Sequence, residues 1–113
     1  LANIDFQKWI GEISSDQARC QRLNHLLDQE ADRILVEPPP IVHTISDTFS
    51  VSKIEKDFIF LRSKNFLNQV RLRVAKDVLR LIRPKDNLEM VLGDTSEKWV
   101  ILECGEVFPS YQQ

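Results

Sequence analysis

Three features of this 113-residue chain predict an α+β domain, with N-terminal helices followed by β-β-α-β-β and a mostly antiparallel sheet. From Asn3 to Leu35 apolar residues recur at helical intervals. Past the proline run Pro38–Pro40 the apolar residues fall instead into short alternating or continuous runs. Two of those runs, LEMVLG and KWVILE, flank the polar turn DTSE and read as an antiparallel hairpin. A helical region followed by strands, without regular strand–helix alternation, places helices on one face of an antiparallel sheet.

In the first segment Phe6, Ile13, Cys20, Leu27 and Ile34 form a column at intervals of seven. A second column, Ile10, Gln17, Asn24 and Ala31, is only half apolar. Two readings are open. One long helix would form a coiled-coil stalk able to dimerise. Alternatively, a short helix through Ile13 is followed by a second, capped at Ser14 or Ser15, with Gly11 marking the weak point. Proline cannot continue a helix, so Glu37–Val42 is a boundary. The expected organisation is a helical segment over 1–36, a linker over 37–43 and an α+β body over 44–113. The start at Leu1 and the end in PSYQQ suggest a domain excised from a longer protein.

In the body, Phe49 and Val51 alternate with Thr48, Ser50 and Ser52, as in a strand with one buried face. Phe58–Leu61, an unbroken apolar run, predicts a strand covered on both sides. Asn65 is placed to cap a helix over 66–83 that stops before Pro84. Its apolar arc would hold Leu67, Val70, Val74, Ala75, Val78, Leu81 and Ile82. Phe60, Val74 and Val78 are expected in the core.

That expected helix carries the clearest functional signal. Arg73, Lys76, Arg80 and Arg83 fall opposite the apolar arc and form a basic stripe, although the chain as a whole has a net charge of −2. Such a stripe suits nucleic-acid phosphates or an acidic protein patch. It also suits a solvated face whose last turn complements the helix dipole. The acidic first part of the chain could neutralise it within the fold or across a dimer. Arg71 falls inside the apolar arc, where its stem would pack and its guanidinium reach out. Neither Trp lies in this helix, so no stacking platform stands beside the stripe, which favours a protein partner.

Other chemistry is sparse. Cys20 and Cys104 are far apart and predict two buried thiols. His25 with Asp28 offers only two ligands on one helical face, so no metal is expected. The isolated glycines make no phosphate loop, Ser14, Ser15 and Ser63 sit in no nucleophile elbow, and Glu103 and Glu106 flank a strand end; no enzyme and no cofactor are expected. There is no signal peptide and no apolar run near the ~20 residues of a membrane span, which predicts a soluble, cytoplasmic protein with no membrane partner. A hydrophobic fraction of 42% and a charged fraction of 28% are those of an ordinary globular domain. Phe6, Trp9, Ile13, Leu27 and Trp99 are the apolar candidates for an interface.

The strand FIFLRSKNF, a following helix and the strand LEMVLG give Phe49–Leu92 an order that resembles the KH-like interaction domains of bacterial replication proteins. These are the N-terminal domain of DnaA, the helicase loader DciA and the clamp-loader tau C-terminal domain. FQKWIGEI, Phe6–Ile13, looks like the tryptophan-bearing first helix of the DnaA domain. The proline linker is longer than in those modules and the Trp99 hairpin is extra. The resemblance implies a non-enzymatic docking domain in DNA replication or its regulation, sometimes with weak single-strand binding. The function expected is therefore protein–protein interaction or assembly, with a homodimer among the outcomes. The alternative is a nucleic-acid-binding module that uses the basic face of helix 66–83.

Overall fold

The structure is a computed structural model that describes the backbone of residues 2–110 and the side chains of residues 15–110. Its first element, α1 (Ala2–Val36), is one unbroken helix of 35 residues. At 1.5 Å per residue such a rod is about 50 Å long, which sets the long axis of a molecule measuring 59 × 30 × 24 Å. The break considered near Gly11 and Ser14 does not occur. One glycine weakens a helix by only about 1 kcal/mol, and packing of the second half offsets it. Cys20, Leu23, Leu27 and Ala31, at intervals of three and four, are all buried and give that half a continuous apolar stripe.

After the linker come β1 (His43–Glu55), β2 (Phe58–Arg62), β3 (Val70–Arg73), α2 (Lys76–Leu81), β4 (Asn87–Asp94) and β5 (Trp99–Phe108). The sheet order is β3-β2-β1-β4-β5, with every neighbouring pair antiparallel. The expected α+β class and the mostly antiparallel sheet are present, with one strand more than expected. Strand β1 serves both halves: His43–Ser50 pair with β4 and Ser50–Glu55 with β2. The register shifts between Val51 and Lys53, and such a bulge bends a strand. Three hairpin-linked strands followed by a fourth that returns beside the first make a Greek key, and β5 extends it. The sheet curls into a half-barrel whose edge strands β3 and β5 approach each other.

Inside the curl lie Phe49, Val51, Ile59, Leu61, Val70 and Leu72, together with Leu88, Met90 and Leu92. Helix α1 lies along β5 and reaches the β3–α2 junction, where the Ala75 N–H donates to Glu30 Oε1 at 2.9 Å. Burial raises the Glu30 carboxyl above its ordinary pKa, and the Ala75 hydrogen bond opposes that rise. In the linker, Ile41 packs over Gly93, where an added Cβ would come within 3.1 Å of Ile41 Cδ1 and of Leu102 Cδ1.

The helix expected over 66–83 is replaced by a loop, the strand β3 and the six-residue helix α2. Residues Val70 to Val74 alternate strictly, with Val70, Leu72 and Val74 inside and Arg71 and Arg73 outside. Ala75 is extended, with ψ 157°, so the helix begins only after it. Leu67, assigned to the apolar arc, is fully exposed. Val74 and Val78 are buried as expected, whereas Phe60 is only half-buried. Strand β2 is buried on one face, through Ile59 and Leu61, not on both.

Candidate interaction surfaces

Among the described residues, the attachment of α1 to the barrel starts with Arg19. Its Nη1 donates to Asp86 Oδ2 at 2.7 Å and its Nη2 to Asp86 Oδ1 at 3.0 Å, a two-pronged ion pair. Nη1 also donates to the Leu81 carbonyl at 2.9 Å, and Nε to Asp16 Oδ1 at 3.1 Å. Asp86 is 2% exposed. Its Oδ2 accepts the Arg83 N–H at 2.9 Å, and its backbone carbonyl accepts the Val51 N–H at 2.9 Å. These bonds hold the guanidinium charge and push its pKa further up. Farther along, Asn24 Nδ2 donates to the Gly105 carbonyl and Asp28 Oδ1 accepts the Cys104 N–H.

This attachment divides the expected interface residues. Leu27 has no exposed surface; it is core of the single chain and not an interface residue. The Cys20 and Leu27 part of the heptad column is likewise intramolecular. Phe6, Trp9 and Ile13 lie on α1 ahead of Arg19, and their side chains fall outside the described residues. Trp99 is half-buried, edge-on to Phe66 at 5.8 Å and to His43 at 5.9 Å between ring centroids. It stitches the β2–β3 loop and the start of β1 to the start of β5.

A second surface is the helix–barrel junction. The large exposed apolar side chains among the described residues are Leu35, Val36, Val42 and Leu67. Three of them fall within eight residues around the proline linker, and Val36 is 86% exposed.

The third surface is the outer face of β1–β3. Cross-strand pairing places Phe60 between Lys53 and Arg71, and Phe58 between Glu55 and Arg73. Lys53 Nζ stands 4.7 Å from the Phe60 ring centroid, and the Arg71 guanidinium 4.4 Å from that of Phe58. The Arg73 guanidinium is 6.0 Å from the same ring. Arg71, expected to snorkel from a helix, stands on this face and is exposed. Two aromatic rings framed by cations therefore stand where the sequence suggested no stacking platform.

The basic stripe is dispersed. Arg73 stands on β3 with its guanidinium 3.9 Å from Asp57. Lys76 opens α2, Arg80 sits in its last turn 3.7 Å from Asp77, and Arg83 follows it. All four are exposed, but they do not share a helix face. Asn65 caps no helix: with Ser63 it donates to Asp47 Oδ2, while the Thr48 N–H donates to Asp47 Oδ1 at 2.8 Å. These bonds, Ser63 first, hold the Asp47 carboxyl below its ordinary pKa and fasten the root of the β2–β3 loop.

Cys20 and Cys104 are buried free thiols, as expected. Burial pushes Cys104 up to about 12 and also raises Cys20, so both stay protonated and unreactive at neutral pH. Among the described residues no group of three His, Cys, Asp or Glu side chains could hold a metal ion, and no helix is long and apolar enough to cross a membrane. Comparison with known proteins finds no family model, no curated protein and no solved structure that matches the chain.

Proposed function

We propose that this chain is a non-catalytic assembly module: a Greek-key half-barrel carried on a helical stalk that pairs with the stalk of a second copy. The observation that carries the reading is the continuity of α1. Its backbone is one helix from Ala2 to Val36, and among the described residues its side-chain bonds to the barrel run from Arg19 onward. The thirteen residues before Ser15 make about 20 Å of helix. In sequence they continue the column that buries Cys20 and Leu27, with Phe6 and Ile13 at its heptad positions and Trp9 three residues past Phe6. The exposed Leu35, Val36 and Val42 give the assembly a second apolar contact at the foot of the stalk.

The resemblance to replication docking domains points the same way, towards a protein partner. With a strand in place of the long helix, it rests on the strands and on Phe6–Ile13. The test is the solution mass of the whole chain by light scattering. The wild type is expected to be a dimer or higher assembly, and Phe6→Glu with Ile13→Glu a monomer that still unfolds cooperatively, with a midpoint that no longer depends on concentration. A monomeric wild type at the highest concentration reached would overturn the proposal. So would an assembly that survives the double substitution.

A further inference from the structure

Independently of the stalk, we infer that the outer face of β1–β3 binds single-stranded nucleic acid, with Phe58 and Phe60 as stacking surfaces and Lys53, Arg62, Arg71 and Arg73 as phosphate contacts. Strand alternation builds the site. Phe58, Phe60 and Arg62 leave β2 on the face opposite the buried Ile59 and Leu61, and Arg71 and Arg73 leave β3 on that same face. Residues two apart on a strand stand about 7 Å from each other, so the two rings make successive steps, each with a cation across the neighbouring strand.

The charge is matched to a polyanion. Four cations share the face with Glu55 and Asp57, which sit at the β1–β2 hairpin end, and with Asp47, which lines a cleft with Arg62. Lys53 is bonded to Glu55 at 3.2 Å, and Arg73 is 3.9 Å from Asp57; Lys53, Arg71 and Arg73 remain exposed. Aromatic rings beside a basic track on a curved sheet are the means by which proteins hold single strands without reading sequence. Strands 2 and 3 of a five-stranded, partly open Greek-key barrel are the face that OB-type barrels use for oligonucleotides, an analogy of fold that supports but does not replace the side-chain argument. A duplex hides its base faces and gives the rings nothing to stack on. An acidic peptide would use the cations and leave the rings idle.

Fluorescence anisotropy of a labelled oligothymidylate, titrated with the whole chain, tests this. Binding is expected at low salt, weakening tenfold or more between about 50 and 200 mM. Arg71→Glu with Arg73→Glu should abolish it, and Phe58→Ala with Phe60→Ala should weaken it about tenfold or more. If truncating the rings unfolds the barrel, Phe58→Leu with Phe60→Leu keeps their bulk and removes the stacking surface. The inference fails if the oligonucleotide does not bind at low salt, or if a duplex of equal length binds as tightly. It fails equally if polyglutamate competes as well as unlabelled oligonucleotide, or if folded ring variants bind like the wild type.

Discussion

The two halves of α1 are one helix in backbone, and the described contacts fasten the second half to the barrel. From Arg19 onward one side of the rod packs into the barrel's core. Leu23 and Leu27 have no exposed surface, Arg19 is locked to Asp86, and Glu30 holds the Ala75 N–H. Ahead of Ser15 the same helix continues in backbone, with its side chains outside the described residues. Under the proposed assembly one heptad column serves two purposes along its length: the spacing that packs Cys20 and Leu27 inside one chain presents Phe6 and Ile13 to another.

The sharpest way to break this comparison is Asp86→Ala. It leaves the Arg19 guanidinium in a site made for two oxygens and is expected to cost about 3–5 kcal/mol in denaturant unfolding. A loss below about 1 kcal/mol would mean that Arg19 escapes to solvent and does not fasten the helix. Next in size, Leu27→Ala removes a fully buried side chain and is expected to cost about 2–5 kcal/mol. Near-wild-type stability would move the lower half of α1 off the barrel.

A smaller effect separates burial from pairing. Because the folded pKa of Glu30 is raised, its contribution to stability is greatest below its unfolded pKa and is lost as pH rises through the folded value. Glu30→Gln keeps an acceptor for Ala75 without the buried charge. The variant should gain stability relative to wild type as pH rises from 4 to 7. A constant difference across that range would remove the burial effect. Smallest of all, if residues 1–14 serve only assembly, as proposed, deleting them should change the stability of the monomeric chain by no more than about 0.5 kcal/mol. A larger loss in a monomeric protein would show that the upper half of the helix also packs on its own chain.

Much of the body was legible in sequence. The proline boundary, the β1–β2 and β4–β5 hairpins and the two buried thiols follow from local pattern and turn chemistry. The segment after Asn65 was not, for a definable reason. Val70, Val74, Val78 and Ile82 are four residues apart, an interval that satisfies both the strand period of two and the helical period of 3.6. Only Arg71 and Leu72 distinguish the two: on a helix they sit on the wrong faces, and on a strand they alternate. Arg71, the residue that broke the helical pattern, was the signal. Phe58–Leu61 misled in the same way, because a half-buried phenylalanine and a buried isoleucine are both simply apolar until one face meets solvent. The aromatic side of the outer face of β2 was hidden by that ambiguity.

By itself the sequence determined the periodicities, the breaks between elements and the heptad column, all set by residues within a few positions of each other. Only the tertiary structure decided which side of each strand faces inward, and which barrel groups α1 docks on. Arg19 and Asp86 are 67 residues apart, and Phe60 finds Lys53 and Arg71 only through strand pairing. No local pattern encodes such partners. They are selected when the Greek key closes around one core, because burying Ile59, Leu61, Val70 and Leu72 leaves Phe58, Phe60, Arg71 and Arg73 no other side to occupy.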